Sequence, residues 1–238
     1  MSQQALSEAY HNNTAASIIE DGKYSDAIAS LSNSIMRFPG CAGRSCEEIR
    51  RSGSCCERCD GTHVLSLDQC MLYNHENFKE DGAPYLYKSP IRIPNESNMT
   101  CGKKKQGIIS AVMVFNLALS HHLQSLEYIT PKDREVHLEK AIMLYELAFD
   151  IQRKENCDSN YIFVLAIMNN LSTIHRIQNN KALANEGFRH MLSILMYLVD
   201  SGKNVYCGRL EGFHYNVLSL STSSLTRKVT GGNVAGAA

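Results

Sequence analysis

The sequence predicts an all-α protein, a short stack of antiparallel helix pairs with an inserted loop and a small β-hairpin. Three observations predict this fold class. A pattern of small and large residues at helical spacing occurs three times, and an asparagine followed by an apolar run precedes each occurrence. A stretch rich in cysteine, glycine and serine separates the first occurrence from the second. The chain of 238 residues, of which 44% are hydrophobic, is long enough to bury a sizeable core.

The first helix pair is predicted at residues 1–39. Ala27 and Ser34 are seven residues apart and therefore share one face of a helix, with the larger Leu31 between them. Small residues at a crossing let two helices approach closely, while larger neighbours fill the adjacent grooves. Asn13 stands 14 residues before Ala27, in the helix that is expected to pack against this face.

The second and third helix pairs, with a C-terminal cap, are predicted at residues 107–226, and residues 227–238 are predicted to be a flexible tail. Asn170 stands 14 residues before Ala184, as in the first pair, whereas Asn116 stands 25 residues before Ala141. The difference indicates an insertion of 11 residues in the second pair. One pair cannot bury its own apolar face, so the pairs are expected to stack. The small and large residues of the two copies are Ala141, Tyr145, Ala148, Ala184, Phe188 and Met191.

At these residues the sequence resembles the tetratricopeptide repeat (TPR), whose period is about 34 residues. Gly22, Tyr24, Ala27 and Pro39 stand at the spacing of that family, and the third copy has Asn179 where the family prefers glycine. The chain is also similar to uncharacterised repeat proteins of unicellular algae, a similarity that adds no activity. The TPR resemblance implies that the first helices of the pairs line a concave groove, where asparagine side chains hydrogen-bond an extended peptide.

Six polar residues are the candidates for such a groove. Three of them occupy equivalent positions on the predicted first helices, two more fall on the same face one or two turns further on, and Thr173 lies nearby. A carboxamide offers both donors and an acceptor, which suits a peptide unit. The alternative is that the asparagines cap or bridge neighbouring helices in the core. The candidates are Asn13, Asn116, Asn170, His122, Thr173 and Arg176.

The charge of this face argues against one kind of peptide ligand. Repeat proteins that hold the acidic C-terminal tail of chaperones use several lysines or arginines beside such asparagines. Arg176 is the only obvious cation at the corresponding positions of this sequence. A clamp for a terminal carboxylate is therefore not expected.

Residues 40–106 are predicted to be an insertion that contains a cysteine-rich loop and a β-hairpin. Large side chains occur at every second position in residues 64–73 and recur at that spacing in residues 85–93, which is the period of a strand. Pro84 and Pro90 would confine the second strand to the edge of a sheet.

Six of the nine cysteines lie close together in this insertion. Cys41, Cys46, Cys56 and Cys59 provide four soft ligands that could bind zinc tetrahedrally. Their spacing is irregular, however, and the chain has no second CxxC motif. Free thiols in a variable loop are therefore the favoured interpretation, and zinc binding is the alternative.

The charge balance and the missing motifs exclude several classes of function. Lys+Arg and Asp+Glu number 24 each, so neither nucleic acid nor an anionic membrane is an expected partner. No secretory signal is recognisable in the first 30 residues, and no run approaches 18 apolar residues, so we expect a cytoplasmic protein. Lys103–Lys105 keeps a nuclear location open. No phosphate-binding or nucleophile motif occurs, so neither an enzyme nor a cofactor is expected.

The sequence therefore predicts a protein–protein interaction adaptor that holds a partner segment in the groove of a helical repeat. Its affinity would come from apolar burial and from hydrogen bonds to the partner's backbone. The alternative is a zinc-binding or thiol-redox regulator that acts through the cysteine-rich insertion. An enzyme whose site is assembled across helices has no support beyond scattered histidines and glutamates.

Overall fold

A computed structural model of the chain describes residues 3–37, 84–93, 102–127, 130–154, 160–201 and 210–219. These ranges are largely helical and contain no strand, which confirms the all-α class for the described part of the chain. In chain order the helices are α1 (Gln3–Glu20), α2 (Tyr24–Arg37), α3 (Gly102–Glu127), α4 (Pro131–Lys154), α5 (Tyr161–Ile177), α6 (Lys181–Asp200) and α7 (residues 211–219).

Residues 84–93, here named the extended segment, differ from the strand that their alternation predicts. Their backbone N–H and C=O groups bond asparagine side chains of the helices instead of a neighbouring strand. The bonded residues are Tyr85 with Tyr87 and Ile91 with Ile93, and the members of each pair stand two positions apart, which is the period of an extended chain. The alternating sequence pattern therefore does indicate an extended backbone, but that backbone is bound by helices and is not part of a sheet. The first predicted strand, residues 64–73, lies outside the described residues.

The chain divides into two compact units. The described part of the first unit contains α1 to α4, residues 88–93 of the extended segment, and α5 as far as Ile167. The described part of the second contains residues 84–87, the remainder of α5, α6 and α7.

In the first unit α1 packs against α2 and α3, α2 packs against α3, and α3 packs against α4. The small and large residues at seven-residue spacing form the buried faces: Ala27, Leu31 and Ser34 in α2, and Ala141, Tyr145 and Ala148 in α4. The ring of Phe115 in α3 lies 5.6 Å from that of Tyr145 and 5.4 Å from that of Phe163, measured between centroids.

The central helix of this unit, α3, is buried over most of its surface. Residues Gly107–Glu127 are the one stretch in the described residues that is long and apolar enough to cross a membrane. Of its most apolar window, 94% is buried inside the protein, as is usual for the core helix of a folded domain. Its apolar character is therefore accounted for by packing against its neighbours.

The turns that follow α1 and α5 have the same backbone conformation. Gly22 has φ +74° and Asn179 has φ +58°. In both turns the residue after this position donates its N–H to the carbonyl five residues earlier, and the residue itself donates to the carbonyl three residues earlier. This is the Schellman motif, which requires a left-handed residue and favours glycine, with asparagine as the usual substitute.

In the second unit α6 presents an apolar face made by Ala184, Phe188, Met191, Leu195 and Leu198. Gly187 of this helix lies against Ser172 of α5, since an added Cβ atom would stand 2.1 Å from the Ser172 hydroxyl oxygen. The absence of a side chain at Gly187 therefore permits the close approach of α5 and α6.

Candidate peptide-binding site

Three asparagine side chains in the first unit bind the backbone of the extended segment. They form the first cluster: Asn12 and Asn13 of α1, and Asn116 of α3. Asn116 accepts the N–H of Ile91 at 2.9 Å and donates to the carbonyl of the same residue at 2.8 Å. Asn13 makes the corresponding pair of bonds with Ile93, both at 2.7 Å.

Asn12 joins the two sides of this cluster. Its amide group donates to the Ile91 carbonyl at 2.9 Å, and its own oxygen accepts a bond from Asn116 at 2.9 Å. Asn12 and Asn116 are both fully buried. The cluster therefore bridges α1 to α3 and binds the extended segment with the same side chains.

A second cluster in the second unit consists of Asn169 and Asn170 of α5 and Asn216 of α7. Asn216 accepts the N–H of Tyr85 at 2.8 Å and donates to its carbonyl at 2.7 Å. Asn170 bonds Tyr87 in the same two ways, at 3.0 and 2.9 Å. Asn169 donates to the Tyr85 carbonyl at 3.0 Å and accepts from Asn216 at 2.6 Å.

The two clusters have the same internal arrangement. In each, two consecutive asparagines on one helix and a third asparagine on a later helix bind two residues of the extended segment that stand two positions apart. In each, the third asparagine donates to the first, and the first donates to the second. The part of the chain that the structure describes therefore contains this arrangement twice, once in each unit.

A carboxamide suits this task because it has the same polar groups as a peptide unit. In an extended chain the N–H and C=O of one residue point to the same side, as they do along the edge of a strand. One asparagine can therefore satisfy both groups at once, and two residues further along the next pair faces the same way. These bonds involve only the backbone, so they recognise an extended chain whatever its side chains are.

The side chains of the extended segment are also held in the first unit. Ile91 and Ile93 are almost completely buried. Arg92 stands between these two residues in the sequence. Its guanidinium donates to the Asn13 carbonyl at 3.3 Å and to the Ser17 hydroxyl at 3.1 Å, and it pairs with the carboxylate of Glu20. The three acceptors lie on one face of α1, four and then three residues apart.

In the second unit two tyrosines of the extended segment pack on α7. The Tyr85 ring meets the Phe213 ring edge-on at 5.4 Å, and the Tyr87 ring stacks on it at 6.2 Å. The Tyr85 ring also lies directly on the backbone of α7, since a Cβ atom added at Gly212 would stand 2.5 Å from it. A glycine is needed there to admit the aromatic ring.

The sequence candidates occupy different places in this arrangement. Asn13 and Asn116 belong to the first cluster and Asn170 to the second, so each bonds the extended segment and a neighbouring asparagine. Thr173 donates to the Asn169 carbonyl of its own helix, and Arg176 is exposed near the end of α5. In the ranges that the structure describes, neither bonds the extended segment.

His122 is fully buried beside Tyr145, with ring centroids 6.1 Å apart. Within the described residues neither of its ring nitrogens has a hydrogen-bond partner. Burial lowers the pKa of His122 to about 3, so the ring is neutral at physiological pH. It therefore packs as a core residue of the first unit and does not bond the extended segment.

His121, which is also buried, faces His137 of α4, with 3.0 Å between their Nδ1 atoms. Burial, with the neighbouring charges of His137 and Lys140, lowers the pKa of His121 to about 4. Burial, with Lys140, also lowers the pKa of His137. A hydrogen bond between the two Nδ1 atoms requires one ring to be neutral, because a protonated ring has no acceptor nitrogen. The lowered pKa values of His121 and His137 favour the neutral rings and therefore agree with this bond.

Three members of the clusters are absent from the sequence candidates: Asn12, Asn169 and Asn216. The signals for them are present in the sequence. Asn12 and Asn169 each precede a candidate directly, as Asn-Asn pairs. Asn216 is followed by Val217 and Leu218, as Asn116 is followed by Leu117 and Ala118.

The zinc alternative concerns Cys41, Cys46, Cys56 and Cys59, which lie outside the described residues, as do the other five cysteines. Among the described residues, no group of three or more histidine, cysteine, aspartate and glutamate side chains is suitably placed to hold a metal ion.

The chain was compared with protein-family models, with curated proteins and with solved structures, and none of the three comparisons gave a match.

Proposed function

We propose that the protein is an adaptor that binds an extended segment of a partner protein through its asparagine clusters. One observation carries this proposal: two clusters of identical arrangement each bond both backbone groups of two alternate residues. A single such set would suit a local structural role. The set occurs in both clusters, and in both the bonded residues stand two positions apart. This repetition supports a general arrangement for binding an extended polypeptide.

We further propose that the helix pairs are of the TPR type. Two features support this. The turns at Gly22 and Asn179 share a left-handed residue at the position where that family prefers glycine. The small residues Ala27, Ala141 and Ala184 are buried on the faces that their spacing predicts.

The proposed role involves binding without covalent chemistry. Carboxamides neither titrate near neutral pH nor attack substrates, and they suit a site whose purpose is to satisfy backbone groups. The proposed partner is a protein, not a nucleic acid or a membrane, and the proposed location is the cytoplasm or the nucleus.

The test uses a fluorescent peptide with the sequence of residues 84–93 and the full chain carrying Ile91→Pro. The substitution removes the N–H that Asn116 accepts, which weakens the chain's own occupant and leaves the clusters unchanged. We expect the peptide to bind, as measured by fluorescence anisotropy, provided that circular dichroism shows an intact helical fold.

N-methylation of the peptide separates backbone recognition from adhesion of apolar side chains. Methyl groups on the amides of Ile91 and Ile93 remove two N–H groups that the first cluster accepts, and we expect binding to weaken at least about tenfold. Methylation at Lys88 and Arg92, whose amides bond no asparagine among the described residues, is the matched control. Equal affinity of the two methylated peptides would contradict the proposed function.

A further inference from the structure

Both asparagine clusters are occupied by the chain's own extended segment. Its residues Ile91 and Ile93 are 1% and 2% exposed, and Tyr87 is 7% exposed. The same backbone groups and the same buried surfaces cannot serve two segments at once. If the clusters hold a partner, residues 84–93 must therefore leave before the partner binds.

The first cluster also has a place for a positive charge. The guanidinium of Arg92 contacts Glu20, Ser17 and the carbonyl of Asn13 on α1. In the sequence, Arg92 stands between the buried residues Ile91 and Ile93. Among the described residues three acceptors and no donor are directed at this guanidinium, and one of the acceptors is anionic. The surroundings therefore fit an arginine and would repel a carboxylate.

We propose that residues 84–93 are a tethered substitute for the partner, and that the partner segment carries the pattern apolar–Arg–apolar at the first cluster. This inference rests on the proposed function and adds the recognised chemistry and its regulation. A tethered segment is present at an effective concentration on the order of millimolar. The apparent affinity for a partner is the intrinsic affinity multiplied by the fraction of molecules in which the tethered segment has left.

The first experiment measures self-occupancy with the fluorescent 84–93 peptide. We expect the Ile91→Pro chain to bind it about 10- to 100-fold more tightly than the wild-type chain, which is the effect of leaving one buried group of Asn116 unsatisfied. Lys88→Pro is the matched control, because it introduces the same residue at an N–H that bonds no asparagine in the described ranges, and it should bind like the wild type. Equal affinity of wild type and Ile91→Pro would overturn the inference.

A charge exchange tests the recognised pattern. A peptide in which Arg92 is replaced by glutamate should bind the Ile91→Pro chain at least about tenfold more weakly than the parent peptide. Adding Glu20→Arg to the same chain should reverse the order of the two peptides. If the order is the same with and without Glu20→Arg, the pattern is wrong.

A measurement on the wild-type chain covers the case in which Ile91→Pro does not fold. Excess peptide should increase hydrogen exchange in residues 84–93 of a ¹⁵N-labelled chain, as followed by mass spectrometry. The peptide carrying glutamate should not have this effect. Exchange that stays constant while the peptide binds would overturn the inference but leave the proposed function standing, whereas absence of binding to every folded chain would overturn the proposed function itself.

Discussion

Replacement of Asn116 by leucine removes the α3 member of the first cluster and puts a side chain of similar size in its place. Two buried groups lose their partners, namely the N–H of Ile91 and the side-chain oxygen of Asn12, whereas the Ile91 carbonyl keeps its bond from Asn12. Each unsatisfied group costs about 1–3 kcal/mol, and the added apolar burial returns about 1 kcal/mol. The expected loss in the free energy of unfolding is therefore about 3 kcal/mol.

The assay is urea unfolding followed by far-ultraviolet circular dichroism. The dependence of the unfolding free energy on urea concentration should be the same in variant and wild type, so that the midpoints report stability. Asn185→Leu on the exposed surface of α6 is the matched control, since it makes the same chemical change without a buried partner. We expect the control to lie within about 0.5 kcal/mol of the wild type. Equal stability of Asn116→Leu and Asn185→Leu would show that the buried bonds of Asn116 do not stabilise the fold.

Four further changes have defined outcomes. Gly22→Ala should cost about 1 kcal/mol of unfolding free energy in urea, because alanine must adopt φ +74°; an unchanged midpoint would contradict this. Ala141→Leu should cost about 1–3 kcal/mol by overpacking the fully buried face of α4, and a tolerated leucine would contradict the packing. Gly212→Ala should displace the Tyr85 ring and speed exchange of the Tyr85 amide in nuclear magnetic resonance spectra; unaltered exchange would contradict the close contact. As pH falls from about 6.5 towards 4, the unfolded chain takes up protons at His121 and His122 that the folded chain does not, so stability should decrease. His122→Phe should reduce the dependence of the unfolding free energy on pH by up to about 1.4 kcal/mol per pH unit. If urea unfolding at several pH values showed the same dependence in the variant and the wild type, the lowered pKa of His122 would be wrong.

The helical class was predictable because its signal is local. Ala27, Leu31 and Ser34 fall on one side of a helix by spacing alone, and burial of that side follows from the need to cover apolar surface. At Asn179 the sequence showed only a departure from the glycine that the TPR family prefers, and the positive φ of this residue explains why asparagine, the usual substitute for glycine there, occupies the position.

The extended segment could be recognised from sequence but its partner could not. Alternation at Tyr85, Tyr87, Ile91 and Ile93 indicates an extended backbone, yet it does not specify what bonds that backbone. Asn116 stands 25 residues from Ile91, and Asn216 stands 131 residues from Tyr85. Such contacts depend on tertiary packing, about which the helical and strand periodicities of a sequence carry no information.

Asparagine side chains bond pairs of alternate residues in the extended segment, and amide hydrogen exchange measured by nuclear magnetic resonance detects such bonds one residue at a time. We expect slow exchange at the bonded amides of Tyr85, Tyr87, Ile91 and Ile93, and fast exchange at those of Leu86, Lys88 and Arg92, in a stretch that is neither helix nor strand. Equally fast exchange at all of these amides would contradict these bonds.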